Sequence, residues 1–190
     1  MRMHGMAALL AVALGACAPL PPQDQAALPA DVGLGIADPG RNAILNTAFV
    51  FSSASNLAGQ PADAALAIAQ AEFLAVDLNV NQRWREFSPL VQMAFTRART
   101  EWRGAIGIQP DALPQAVINA LFSARYALQQ GDGARAAASL PAPLFQGGGQ
   151  ATLARLAALP PLPQTASAAR SAEGELMRQQ RGGRGGGIRW

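Results

Sequence analysis

Residues 61–78, PADAALAIAQAEFLAVDL, carry the clearest helical pattern in this chain of 190 residues. Their apolar side chains recur at steps of three and four residues, as one face of a helix requires. Pro61 suits a first helical turn, where its missing N–H removes no hydrogen bond, and the polar stretch NVNQ follows Leu78. The predicted apolar face consists of Ala65, Leu66, Ala69, Phe73 and Val76.

Two further helices with clear start signals flank this stretch. Upstream, Asp38 is a predicted N-cap and Pro39 the first helical residue of a helix that runs to Leu57 and stops at Gly59. Its apolar face is predicted to hold Ile44, Leu45, Ala48, Phe49 and Phe51.

Downstream, Ser88 and Pro89 give the same start signal, and Gly104 is the predicted end. The apolar face there is Val91, Phe95, Ala98 and Trp102, and the opposite face carries Arg97, Glu101 and Arg103.

The rest of the chain continues as short helices separated by glycine and proline. After a connector at 104–110, a helix begins around 111–114 and ends at Gly131. Short helices are predicted at 133–140, and at 150–159 after a flexible loop of three glycines at 147–149. The last helix begins near Thr165. The apolar positions of the first and last of these helices are Val117, Leu121, Ala124, Leu128, Ala169, Ala172 and Leu176.

These patterns predict an all-α fold, with a single compact helical domain of six or seven helices at residues 38–180. No segment alternates with a period of two, as a half-buried strand does. Much of the 50% hydrophobic content is alanine and aromatics make up only 6%, which favours closely packed helices. The last residues, 181–190, are rich in arginine and glycine and are predicted to be disordered.

The N-terminus has the features of a secretory signal. Arg2 precedes an apolar run at 6–14, which is too short for a transmembrane helix of about 20 residues. Leu14-Gly15-Ala16-Cys17 then resembles the lipobox of bacterial lipoproteins. The alternative is an ordinary secretory signal that ends beside a chance cysteine.

The lipoprotein resemblance implies that the signal peptide, residues 1–16, is removed and that Cys17 carries two or three acyl chains. Two or more chains anchor a protein stably to a membrane. Ala18 follows the cysteine where an Asp would favour retention in the inner membrane, so the implied location is the outer membrane, facing the periplasm. Residues 17–37 include four prolines and are predicted to be an extended tether. The alternative is a tail packed loosely on the domain.

The missing residue types exclude several chemistries. The basic residues are 15 arginines with no lysine, and the lone histidine, His4, would leave with the signal. Hydrolases that use a Ser–His or Ser–Lys pair, Schiff-base enzymes and zinc sites of the His/Cys type are therefore excluded. The glycines at 147–149 lack the Lys-Ser/Thr of a phosphate-binding loop. No cofactor and no metal site is predicted, and we expect no enzymatic activity.

Carboxylates are the remaining catalytic groups, because two positioned acids suffice to cleave glycosidic bonds. The candidates are Glu72, Asp77, Glu86 and Glu101. The alternative is that these acids solvate helix surfaces or pair with arginines.

A polar and aromatic cluster could instead bind an anion, since guanidinium groups grip phosphate and carboxylate and stack on aromatic rings. The candidate residues are Arg83, Trp84, Arg85, Arg97, Trp102 and Arg103. The alternative places Trp84 and Phe87 in the core and the arginines in solvent or in ion pairs.

Two further resemblances are local. Residues 112–140 resemble one helical hairpin of a tetratricopeptide unit, but no second copy follows at a spacing of about 34 residues. The C-terminal Arg/Gly tail resembles RNA-binding RGG segments. At a membrane, an anionic surface is the expected partner rather than nucleic acid.

The sequence therefore predicts a membrane-anchored envelope lipoprotein with a non-catalytic structural or adaptor role, partnered by the membrane through Cys17 and by an envelope protein. The alternatives are a binding module for a small anionic or lipidic ligand and a cell-wall glycan enzyme that uses carboxylates alone.

Overall fold

The computed structural model describes residues 25–29 and 38–184, and this part of the chain is all-α as predicted. It contains no β-strand, only a single bridge between Ile108 and Phe145. The helices are α1 Pro39–Val50, α2 Pro61–Val80, α3 Pro89–Ile106, α4 Pro114–Gln129, α5 Gly133–Ala138, α6 Gly148–Ala157 and α7 Pro163–Arg184. Two single 3₁₀ turns, Ala54–Asn56 and Gln82–Trp84, precede α2 and α3. None of the helices described has the length and apolarity needed to cross a bilayer.

α2 is the central helix of the domain. It packs against α1, α3, α4 and α6, and it is buried on all sides from Ala67 to Leu78. The predicted face was too narrow, because Ile68 and Leu74 lie outside it and are fully buried. A helix that is apolar around its whole circumference belongs in the interior of a bundle. The alanines along α2 let the surrounding helices approach closely.

α3 and α7 lie antiparallel. Glu101, near the end of α3, contacts Thr165 at the start of α7, whereas Ser88 at the start of α3 contacts Glu175 farther along α7. The four predicted core positions of α3, Val91, Phe95, Ala98 and Trp102, are all buried. α7 also packs against α1, so the last helix joins two earlier ones.

α1 ends at Val50, so the prediction that it runs to Leu57 is wrong. The Ser52 hydroxyl donates to the Phe49 carbonyl at 2.7 Å, and Ser53 caps the following 3₁₀ turn. Serine side chains that bond to the backbone in this way compete with helix continuation. Phe49 was predicted to face the core but is 67% exposed.

α3 continues two residues past Gly104 and ends at Ile106. Gly107 follows with a φ of 78°, a left-handed conformation that suits glycine after a helix. Arg103, predicted on the solvent face, is buried. The reason is an acid on α2 that requires a cationic partner, as described below.

Two segments predicted to be flexible belong to helices. The glycines at 147–149 are part of the start of α6, which begins at Gly148, and not a free loop. Residues 181–184, assigned to the disordered tail, are the end of α7. Residues 185–190 lie outside the described residues, as do the signal, Cys17 and most of the tether. Residues 25–29 of the tether lie against α4.

Candidate functional site

Two buried acids, Glu72 and Asp77, interrupt the apolar surface of α2. Each accepts a hydrogen bond from a tryptophan indole and from the arginine next to that tryptophan in sequence. Glu72, Arg99, Trp102 and Arg103 form the Glu72 cluster. Asp38, Asp77, Asn81, Arg83 and Trp84 form the Asp77 cluster.

The Glu72 cluster joins α2 to α3. Trp102 Nε1 and Arg103 Nε each donate to Glu72 Oε1 at 2.7 Å, and Arg103 Nη2 donates to Oε2 at 2.9 Å. Arg99 adds Nε and Nη2 to Oε2 at 3.2 and 3.1 Å. Paired donors of this kind form the strong, charge-assisted class of hydrogen bond. Both oxygens of the buried carboxylate are therefore occupied by α3.

Arg103 also fixes the connector between α3 and α4. Its Nη1 donates to the carbonyls of Gln109 and Pro110 at 3.2 and 2.8 Å, and Nη2 donates to the Ala112 carbonyl at 3.0 Å. With its two bonds to Glu72, all five N–H groups of this guanidinium have acceptors. Arg103 thus joins α3, α2 and the connector between α3 and α4.

The Asp77 cluster joins α2 to α1 and to the turn before α3. Trp84 Nε1 donates to Asp77 Oδ2 at 2.6 Å, and Asn81 donates to Oδ1 at 3.0 Å. Arg83 pairs with both Asp77 and Asp38, each at 2.5 Å, and its guanidinium lies 4.6 Å from the centre of the Trp84 ring. Asp38 also caps α1 by accepting from Gly40 N at 2.9 Å.

Gly40 makes room for this cluster. A Cβ at position 40 would collide with the Arg83 guanidinium and lie 2.9 Å from the Trp84 ring. Any larger residue at this position would force Arg83 and Trp84 to shift.

The six residues predicted to bind an anion do not form one site. Trp102 and Arg103 belong to the Glu72 cluster, and Arg83 and Trp84 to the Asp77 cluster. Arg85 and Arg97 are exposed and have no polar partner among the residues described. Sequence reasoning placed Arg99 beside Arg97 and Arg103 but did not identify Glu72 as the acid that Arg99, Trp102 and Arg103 bind. The available signal was Glu72 itself, because an acid inside a wholly apolar helix needs a cation beside it.

The four candidate catalytic acids also have different surroundings. Glu72 and Asp77 are held in the clusters, and Glu86 is exposed. Glu101 accepts from the backbone N–H groups of Gln164 and Thr165 at 3.1 and 2.8 Å, and from the Thr165 hydroxyl at 2.6 Å. Glu101 thereby satisfies free N–H groups at the first turn of α7, in the manner of an N-cap.

A further ion pair lies on α7. Arg178 donates to Glu175, and this hydrogen bond lowers the pKa of the Glu175 carboxyl below its ordinary value of 4.5. Burial opposes the shift, while the charge of Arg178 and a backbone hydrogen bond from Ser88 add to it. The same pair raises the pKa of Arg178. The pair stabilises contact between α7 and the start of α3.

Two open clefts of about 250 Å³ could admit a small ligand. One lies beside the Glu72 cluster, and its arginines, Arg99 and Arg103, already bind Glu72. The other lies between the end of α1, the turn at 159–162 and the start of α7. Its apolar lining includes Phe51 and Leu162, and Arg170 is its one charged residue. Arg170 has no polar partner within the described part of the chain.

In the described ranges 25–29 and 38–184, no group of three or more His, Cys, Asp or Glu side chains could hold a metal ion. The fold defines an all-α domain built around a central helix, and its buried acids Glu72, Asp77 and Glu175 accept hydrogen bonds from the same chain. No protein-family model, no curated protein and no solved structure matches the chain.

Proposed function

We propose that the protein is an envelope lipoprotein, anchored to the outer membrane through lipid on Cys17 and facing the periplasm. Its helical domain acts there as a non-catalytic structural or adaptor subunit. The lipobox-like sequence Leu14-Gly15-Ala16-Cys17 supports the anchor. The Arg/Gly-rich C-terminus is proposed to contact an anionic surface.

The adaptor role is supported by the hydrogen bonds of the buried acids, which are made within the domain. Glu72 and Asp77 accept from tryptophan and arginine donors of their own chain, and Glu101 holds the start of α7. A general acid or base must instead face a substrate with an open position for its proton. These three acids join helices, and the domain gains a rigid shape suited to binding a partner.

Leu90 and Met93 are the proposed contact for that partner. They lie one turn apart on α3 and are 74% and 47% exposed. Residues at this spacing are neighbours on a helix surface. Contiguous exposed apolar patches mark protein-binding surfaces, and these two side chains would be the centre of such a patch.

The test is in-cell cross-linking of the acylated full chain, followed by purification from membranes. We expect a recurrent cross-linked protein whose yield falls in the variant Leu90→Ser/Met93→Ser. Leu113→Ser is the matched control, because Leu113 is 68% exposed in the connector just before α4, outside α3, and its loss should leave the yield unchanged. Recovery of the monomer alone would contradict the adaptor role.

A second candidate function, binding of a small amphipathic anion, is favoured by the cleft that contains Arg170. One unpaired cation beside apolar walls suits a ligand with an apolar body and one negative group. Titration calorimetry should show octanoate binding more tightly than octanol, and Arg170→Gln should remove the difference. Arg97→Gln, an exposed arginine outside the cleft, is the control. Equal affinities for both ligands would reject this candidate.

A further inference from the structure

Residues 25–29 are held on α4 by one side chain, Gln115. The Ala27 N–H donates to Gln115 Oε1 at 2.7 Å, and Gln115 Nε2 donates back to the Ala27 carbonyl at 3.1 Å. The neighbours Ala26 and Leu28 pack against the hydrophobic core. The contact joins parts of the chain that are 88 residues apart.

Paired hydrogen bonds to the backbone of one residue are typical of surfaces that bind an extended peptide strand. The Gln115 amide offers a donor and an acceptor to a single residue, as the backbone of an adjacent strand would. Main-chain hydrogen bonds at Ala27 and apolar contacts from its two neighbours follow the alternation of an extended peptide. The first turn of α4 is therefore a docking surface for an extended segment of this chain.

We propose that residues 25–29 are a reversible strap that sets how far the domain stands from the membrane. This inference rests on the proposed lipid anchor at Cys17. Ala27 is ten residues from Cys17, which limits the docked domain to about 35 Å from the lipid. With the strap released, the next described contact with the domain is the ion pair of Asp38 with Arg83, 21 residues from Cys17, and a fully extended chain sets the limit at about 75 Å.

The strap is reversible because little holds it. Both hydrogen bonds lie at the surface, and Ala26 and Leu28 are only half-buried. Such bonds contribute little net stability, since water replaces them on release. Docking must also offset the conformational entropy lost by the five ordered residues. Release leaves the bundle intact, because Asp38 stays bound to Arg83.

Hydrogen exchange on the full chain, without membranes, tests the docking. Gln115→Ala should raise the exchange rate of the Ala27 amide at least severalfold, to that of an unprotected amide. Gln129→Ala is the matched control, because Gln129 is an exposed glutamine at the other end of the same helix. An Ala27 exchange rate that is the same in Gln115→Ala and the parent would overturn the strap.

Energy transfer on vesicles tests the reach. The acylated protein carries a donor on a cysteine introduced at exposed Ser123, and the vesicle carries an acceptor lipid. Gln115→Ala should lower the transfer efficiency, whereas Gln129→Ala should not. Unchanged transfer in vesicle-bound Gln115→Ala overturns the reach proposal. Failure of the parent to bind vesicles instead removes the anchor and the reach with it, while the exchange experiment alone still decides the docking.

Discussion

Single residues in this domain matter most where a charge is buried. A buried ion pair adds little net stability compared with an apolar pair, but removing one partner strands the other charge in a dry environment. Glu72 is fully buried, and three side chains of α3 donate to it. The sequence therefore tolerates an acid on the central helix only because α3 supplies its partners.

Arg103→Met tests this dependence. The change leaves Glu72 with Arg99 and Trp102 and removes the Arg103 donors from three connector carbonyls, of which, among the described residues, only that of Gln109 keeps another donor, the Ala112 N–H. We expect a loss of about 3–5 kcal/mol in the free energy of unfolding, measured by urea denaturation followed by circular dichroism. Arg97→Met, on the exposed side of the same helix, should change it by less than about 0.5 kcal/mol. Equal midpoints for the two variants would contradict the structural role of Arg103.

Gly40→Ala tests the close approach of α1 to the Asp77 cluster. The added methyl collides with Arg83 and Trp84 and forces them to move. The expected cost is about 1–3 kcal/mol, as for other overpacked positions. Gly174→Ala is the control, since a Cβ added at this position inside α7 would lie more than 4 Å from every side chain and neighbouring segment. That substitution should stabilise by about 0.5–1 kcal/mol through helix propensity. The same sign for both would refute the steric argument.

At the scale of the helices, starts were easier to predict than ends. Asp38-Pro39 and Ser88-Pro89 mark the true starts of α1 and α3, because caps and first-turn prolines act locally. The end of α1 was misplaced because hydrogen bonds of Ser52 and Ser53 interrupt an apolar pattern that continues to Leu57. The spacing of apolar residues predicts which side chains can face the core, but it does not predict which backbone carbonyls accept hydrogen bonds from side chains.

Glu101→Ala tests the contact that joins α3 to the start of α7. The change removes the acceptor for two backbone N–H groups and the Thr165 hydroxyl. Loss of a cap costs about 0.5–2 kcal/mol, and amide exchange at Gln164 and Thr165 should rise. Glu86→Ala, an exposed acid, should leave both quantities unchanged. Unaltered exchange in Glu101→Ala would show that the cap is not needed.

Acid should weaken the contact between α7 and α3 through Glu175. Because its pKa is lowered in the folded state, the carboxylate stabilises the fold above the ordinary value of 4.5. That contribution disappears as the pH falls below 4.5 and through the lower pKa of the folded state. The stability difference between the parent and Glu175→Gln should therefore shrink from pH 6 towards about pH 3, by urea titration at each pH. A difference that stays constant or grows in acid would contradict this.

For the whole molecule, the sequence predicted an all-α domain but not how its helices pair. The residues predicted to form one anion-binding site do not lie together, because Arg83 pairs with Asp77 and Arg103 pairs with Glu72, at different positions on α2. Periodicity could not reveal that α2 is surrounded, since it identifies a face only where a helix also has a polar side. Arg85 and Arg97 stay available for ligands, and binding through them remains a prediction.

The proposed envelope location of this domain depends on lipid attached to Cys17. The most direct measurement is intact mass spectrometry of the protein recovered from cell membranes, beside the variant Cys17→Ser. We expect a parent chain that begins at Cys17 with the mass of a diacylglyceryl group and further acylation, and a variant that is neither cleaved at this site nor acylated. A variant with the same processing and membrane attachment as the parent would contradict it.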